Sequence, residues 1–228
     1  PLDFAGVFTE GISHLELKDM SFAEEFGYKI KHLGIAKRDE QGIEMRVHPT
    51  LIPEKRLIAN VNGVMNAVLV KGDAVGNTLH YGAGAGAGPT GSAVVADLVD
   101  LLRAADYEQV GDAAVWHWAW QAPLGFDAAS LSTTRVKPQS EFRCPFYLRL
   151  EVKDQVGVMS KLTSVFAKHD ISLEGIKQKE PAQGEVGVSV ILITQECIEG
   201  TLHEVIDALQ ALPEVTAPIV RIRVAPLD

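Results

Sequence analysis

The sequence predicts an α+β fold in two parts: a mixed-sheet first part, then a module whose elements run strand, helix, strand, strand, helix, strand. Three observations lead there. Short apolar runs with period two are separated by Gly and Pro turn signals through the first eighty residues. Val94, Leu98, Leu101, Leu102 and Ala105 recur at helical spacing after a glycine-rich run. From Phe146 onward, strand-sized and helix-sized patterns alternate without a long gap.

Taken in order, Asp19 is placed to cap a helix over residues 20–26 that Gly27 ends. A strand over 28–36 follows, then a second over 43–47 that His48-Pro49 is expected to stop, because proline removes a ladder donor. Residues 67–70 and 78–81 read as hairpin arms around Gly72-Asp73 and Gly76-Asn77. The helix after the glycine-rich run takes Ser92 or Thr90 as its cap. The stretch from Asp106 to Ser140 shows no sustained period and reads as a linker that packs on something; Trp116, Trp118 and Trp120 fit one face of a short strand better than a ligand cage. The last part reads as strands at 146–152, 172–179, 187–194 and 215–224 and helices at 158–169 and 201–212. The turn between its two central strands is Glu180-Pro181-Ala182-Gln183-Gly184. This split βαβ order is the ferredoxin-like pattern, an antiparallel sheet with both helices on one face.

Composition narrows function. With 228 residues, 46% hydrophobic and 22% charged, the chain has room for two modest cores, and its net charge of −9 argues against a nucleic-acid partner. No apolar run reaches the roughly 18 residues of a membrane span. Cys144 and Cys197 show no metal spacing, so reduced thiols in a cytoplasmic protein and no metal site are expected. The start at Pro1, with no methionine and no leader-like segment, reads as an internal piece of a longer chain.

Two segments offer binding chemistry. Gly82-Ala83-Gly84-Ala85-Gly86-Ala87-Gly88 lies between a strand and a helix, where uncovered amides and the helix dipole can hold an anion. Close backbone packing explains the same glycines equally well. It is not the main dinucleotide fingerprint, because 106–111 offers no second strand ending in an acid. Lys153-Asp154-Gln155-Val156-Gly157-Val158 forms a strand-to-helix turn, able to give amides to a carboxylate and the Asp154 side chain to an ammonium. A plain turn and cap is the alternative. No nucleophile-and-base constellation is visible. Lys29 and Lys31 near Glu24 and Glu25 read as a solvated face, and His48 as a strand-end polar residue.

The segments Glu10-Gly11-Ile12, Phe22-Ala23, Gly27-Tyr28-Lys29-Ile30-Lys31, Leu33-Gly34-Ile35-Ala36-Lys37, Arg46-Val47-His48-Pro49, Asn66-Ala67-Val68 with Gly72-Asp73, and the glycine-rich loop with Pro89-Thr90 resemble bacterial homoserine dehydrogenases. Tyr147-Leu148-Arg149, Gly157-Val158, Asp170-Ile171-Ser172-Leu173 and Gln178-Lys179-Glu180-Pro181 resemble the ACT domain attached to many of them. The resemblance implies a partial substrate-binding and dimerisation domain at 1–115, a linker at 116–144 and an ACT regulatory domain at 145–228. It implies NADP- or NAD-dependent interconversion of L-homoserine and L-aspartate 4-semialdehyde, on the route to threonine, methionine and isoleucine. The Rossmann domain and the catalytic lysine are expected upstream, so Lys29 does not inherit that lysine's role and the chain alone is expected to be inactive. Gly82, Gly84 and Gly86 become candidate cofactor contacts near the nicotinamide, although Gly91 replaces the usual alanine and Ala83 a common proline or arginine. Asp154, Gln155, Val156 and Gly157 become candidate contacts for an amino-acid effector, L-threonine by pathway logic, in a homodimer or homotetramer. The competing reading is a non-catalytic amino-acid-binding and oligomerisation module.

Overall fold

The computed structural model describes residues 4–110, 113–118, 133–179 and 187–225. In chain order it has β1 (Phe8–Thr9), α1 (Leu17–Glu25), β2 (Tyr28–Asp39), β3 (Gly42–Pro53), β4 (Met65–Gly72), β5 (Gly76–Ala83) and α2 (Ala87–Ala104). Then come β6 (Ala105–Val110), β7 (Ala113–Trp118), β8 (Arg143–Cys144), β9 (Phe146–Val152), α3 (Val158–Lys168) and β10 (Leu173–Lys179). The chain continues through β11 (Val188–Thr194), β12 (Cys197–Ile198), α4 (Glu199–Gln210) and β13 (Val220–Val224). The class is α+β, as the sequence predicts. Two compact units form, one from Asn60–Thr133 and one from Leu2–Ala59 together with Thr134–Asp228.

The larger unit carries the ferredoxin-like module: β13, β9, β11 and β10 lie side by side, every neighbour antiparallel. Its helices form for the expected reason. Val158, Leu162, Val165 and Phe166 make the buried stripe of α3, and Leu202, Val205 and Leu209 that of α4. These stripes meet Phe146, Leu148, Leu150, Val152, Val188, Val190 and Leu192 in the main core. Past the end of α3, Asp170 takes the left-handed position (φ 55°), and the Ile171 amide reaches back to the Phe166 carbonyl at 3.0 Å. The last strand is shorter than expected: Val215 makes only an isolated bridge to Val152, and β13 begins at Val220. The expected turn at 180–184 lies outside the described residues.

The sheet does not stop at the module. β3 joins β13 in parallel, with Arg223 opposite Thr50 and Val224 opposite Leu51, and carries β2 on its other side and β1, paired at Arg46 and Val47, further along the same edge as β13. This corrects the expectation that the second strand ends at His48-Pro49, since β3 runs on to Pro53. Val47 accepts from the Glu10 amide and Leu51 from the Ala225 amide, so Pro49, midway between them, points toward the same edge. That edge pairs with β1 at 46–47 and with β13 at 50–51, so the missing N–H of Pro49 faces the gap between the two partners.

The second face of the sheet is covered too. Phe22 and Ala23 of α1 pack on Leu51, Tyr147, Ile191, Ile222 and Val224, which is why all seven residues of β11 are buried. Asp19 is not the N-cap of this helix, which is Glu16, but closes its capping box from the third helical position. α1 starts two residues earlier, and Asp19 sits in its first turn, where its carboxylate accepts from the Glu16 amide at 2.9 Å. The same carboxylate takes Arg149 through Nε at 2.6 Å and Nη2 at 3.2 Å, and the Tyr147 hydroxyl at 3.2 Å. Asp19 is fully buried and Arg149 is 2% exposed, so each charge depends on the other. Burial alone would disfavour the charged guanidinium, but the bonds from Asp19 and Glu16 outweigh it and raise the Arg149 pKa.

The smaller unit is a hairpin of β4 and β5, with Met65 opposite Ala83 and Gly72 opposite Gly76, then α2 and a second hairpin of β6 and β7. α2 begins at Ala87 rather than at Ser92 or Thr90: the Thr90 amide already bonds the Gly86 carbonyl at 3.1 Å, and Pro89 sits in the first turn, where its missing donor has no partner to lose. A strand does follow α2, contrary to the reading of 106–111, but it pairs antiparallel with β7 and so still builds no dinucleotide fold. Trp116 and Trp118 lie in β7; Trp120 is outside the described residues. The stretch read as a linker, 116–144, thus contains the end of β7, a 3₁₀ turn at Gln139–Glu141 and β8.

Removing the Asp19 carboxylate strands a buried guanidinium. Asp19→Ala is expected to cost about 3–5 kcal/mol, read as a lower urea midpoint, whereas Lys18→Ala, breaking a part-exposed pair with Glu151, is expected to cost about 1 kcal/mol or less.

Candidate functional site

The turn from β9 into α3 is open. Asp154, Gln155, Val156 and Gly157 are all exposed, and the apolar Val156 entirely so. Gly157 stands at the N-cap with φ 88°, a conformation that suits glycine, and a side chain there would meet nothing within 4 Å. No side chain caps α3 and its first turn holds no acid, so the positive end of an 11-residue helix faces outward. The base of the turn is anchored: the Lys153 amide bonds the Glu214 carbonyl at 2.9 Å, and the Lys161 amide bonds the Gly157 carbonyl at 3.1 Å. The four sequence-nominated residues therefore form one contiguous, backbone-rich surface.

In the smaller unit, Gly82, Gly84 and Gly86 come together at the end of β5 and the start of α2. Gly84 is there for close approach: a Cβ would lie 2.0 Å from Asn66 Nδ2, and its own amide bonds the Val64 carbonyl at 3.3 Å. Gly86 has φ 112°. Gly84 thus fits the packing reading, while Gly82 pairs with Asn66 in the hairpin and has open space where a side chain would stand. Nothing between Asn60 and Arg103 is buried, and α2 exposes Val94, Val95, Leu98, Leu101 and Leu102.

Other candidates separate. Glu25 pairs with Lys177 and Lys179, whereas Glu24, Lys29 and Lys31 line a shallow groove with Met20. Cys144 and Cys197 are free, buried and directly opposite on β8 and β12, and burial pushes the Cys144 thiol up to about 12. Among the described residues no His, Cys, Asp and Glu group could hold a metal ion.

Pattern reading missed a buried polar face on β3. Glu44, Arg46, His48 and Thr50 alternate inward; Arg46 lies over the Phe142 ring at 5.0 Å and only 3.6 Å from Glu44. Beside them Arg223 bonds Glu199 and Glu10, both buried or half-buried acids. Alternation of polar residues along a strand normally marks a wet face, so nothing short of knowing what packs on β3 would have revealed it.

Comparison with known proteins assigns the chain two consecutive family segments. The family described as homoserine dehydrogenase matches residues 1–99, and the ACT domain matches residues 146–214. The homoserine dehydrogenase of Pseudomonas aeruginosa is 48% identical over all of this chain and 51% of its own length. That of Neisseria gonorrhoeae is 41% identical over all of this chain and 50% of its own. The crystal structure of a homoserine dehydrogenase from Thiobacillus denitrificans superposes with a TM-score of 0.85 at 46% identity, covering 100% of this chain and 49% of that one. The chain spans about half the length of these relatives.

His48, within the family match, is 1% exposed rather than a strand-end residue. Its Nδ1–H donates to the Pro49 carbonyl at 3.0 Å and the Thr50 hydroxyl donates to the His48 carbonyl at 3.2 Å. Burial, reinforced by the Arg223 and Arg46 charges, pushes its pKa from 6.5 down to about 4. Between those values the unfolded chain binds a proton that the folded chain does not, so stability falls as pH drops through this window. The loss is expected to approach about 3 kcal/mol. Urea midpoints measured from pH 7 to pH 4 check it, and His48→Gln should flatten that part of the profile.

Proposed function

Because the chain belongs to the homoserine dehydrogenase family as its C-terminal portion, we propose that the whole protein interconverts L-homoserine and L-aspartate 4-semialdehyde by NAD(P)-dependent hydride transfer. In this reading residues 1–115 supply part of the substrate and dimerisation domain, and residues 145–228 sense an amino acid, L-threonine being the pathway's own product. The upstream half carries most of the cofactor site and the catalytic lysine. The observation that carries the sensing role is the open β9–α3 turn, with its uncapped helix, left-handed Gly157 and bare Val156. The helix end suits the effector's carboxylate and Val156 its side chain, and the exposed Asp154 adds a solvent-screened attraction for its ammonium.

For the cofactor, support comes from the glycine-rich loop. Its amides lie at the start of an 18-residue helix, the arrangement that holds anionic phosphate groups, and the bare apolar stripe of α2 fits burial against a further domain. The chain works as a homodimer or homotetramer in this reading, for which β10, the edge strand of the sheet among the described residues, with Ile176 exposed, offers a pairing surface. No helix among the described residues is long and apolar enough to cross a membrane, and the acidic composition fits a cytoplasmic enzyme. The second reading is an amino-acid-binding assembly module without catalysis; in its favour, Glu25 is taken up by Lys177 and Lys179.

Two measurements test the proposal. Calorimetric titration of the chain with L-threonine, against L-serine, L-methionine and L-isoleucine, is expected to show saturable binding that Asp154→Ala weakens severalfold; flat heats for all four amino acids contradict the sensing role. Oxidation of NADPH or NADH with L-aspartate 4-semialdehyde is expected to be absent with the chain alone and to appear once the N-terminal half is supplied. Absence of turnover in the rejoined protein favours the non-catalytic reading.

A further inference from the structure

The effector reading of the β9–α3 turn leaves one neighbour unused. Glu214 lies between α4 and β13, and its carbonyl anchors the turn through the Lys153 amide at 2.9 Å. It is 9% exposed. Lys161, on the first turn of α3, donates to its Oε1 at 2.5 Å, while Oε2 is buried with no hydrogen-bond partner. A buried carboxylate oxygen without a donor is costly, and folded proteins seldom keep one without a use. The other unpartnered buried atoms among the described residues belong to Glu44, Arg46 and His48 on β3, so Glu214 stands apart from that group.

Position gives this acid a role. Lys161 follows Gly157 by one helical turn, and its amide bonds the Gly157 carbonyl at 3.1 Å, so the Glu214 carboxylate lies against the first turn of α3. The uncapped amides of that turn can take a carboxylate, but an α-amino acid also brings an ammonium group, which needs a fixed anion close by. Asp154 is exposed and its side chain is free to move, which makes it a weak partner. Glu214 is buried and tied down through its backbone. Lys161, by contrast, has a side chain 58% exposed, so it can swing into solvent at small cost and leave its acceptor to a ligand. The Lys161 bond holds the Glu214 carboxyl below the usual range, so the acid is ionised at neutral pH.

We infer that Glu214 is the residue that recognises the effector's ammonium group, with Lys161 as the cation that occupies its place when no amino acid is bound. This rests on the sensing role proposed for the turn. It assigns to Glu214 the discrimination between an amino acid and the corresponding hydroxy acid.

The test pairs a change in the protein with the matching change in the ligand. The 228-residue chain is titrated with L-threonine and with 3-hydroxybutyrate, which keeps the carboxylate and hydroxyl and lacks the ammonium. Wild type is expected to prefer L-threonine by about tenfold or more. Glu214→Gln should lose that preference by weakening L-threonine alone, and Lys161→Met should bind L-threonine at least as tightly as wild type. A thermal scan confirms folding. Should Glu214→Gln fail to fold, the wild-type preference and Lys161→Met decide. Equal L-threonine affinity in wild type and Glu214→Gln, no wild-type preference between the two ligands, or weaker binding by Lys161→Met overturns the role of Glu214 while leaving the sensing role intact. Failure of wild type to bind any amino acid overturns the sensing role itself.

Discussion

The buried bond between Asp19 and Arg149 is the constraint on which the larger unit depends. Two opposite charges removed from water must stay together, because either alone would face a desolvation cost of several kcal/mol. Arg149 is in a central strand of the ferredoxin-like module and Asp19 in a helix 130 residues earlier, so their union decides that α1 covers the module's second face. The remaining acceptor positions of Asp19 go to Tyr147 and the Glu16 amide, leaving the carboxylate no competing arrangement. With that face covered, β11 has no wet side and reads as a run of apolar residues.

A shared sheet follows from the same arrangement. One edge of β3 is covered in turn by the bridge at Val136, by β1 and by β13. Strands from the family's dehydrogenase segment and from its ACT segment therefore share hydrogen bonds, and the segment of 133–144 is stitched onto β3 by Lys137, whose amide bonds Ile43 and whose ammonium pairs with Asp39. The β9–α3 turn continues from a strand, β9, that also holds α1 through Arg149 and pairs with β13. The β9–α3 turn and strands β1 to β3 are thus parts of one hydrogen-bonded body.

Local chemistry was legible in the sequence; long-range pairing was not. The βαββαβ order, the hairpin of β4 and β5, and the stripes of α3 and α4 rest on periods and turns within a dozen residues. The errors share a cause. Pro49 stops a strand in isolation but is tolerated where its missing donor faces a gap between partners, and that gap exists only once β1 and β13 arrive. Asp19 has the composition of a cap, yet its position is fixed by Arg149. Asp154 to Gly157 and the glycines at 82, 84 and 86 were nominated because glycine and exposed polar residues at an element boundary carry their meaning locally. Glu214 was not, since an acid between Pro213 and Val215 looks like any loop residue until its burial and its missing donor are seen.

The central claim is that β3 and the ACT strands form one cooperative body. Native-state hydrogen exchange tests it most directly, by comparing amides of β3 paired with β2 against amides of β9 and β11 as denaturant is raised. The account predicts that both sets exchange through the same opening, with matching free energies and matching denaturant dependence. Exchange of the β3 amides through a separate, lower-energy opening while β9 and β11 stay protected would contradict it.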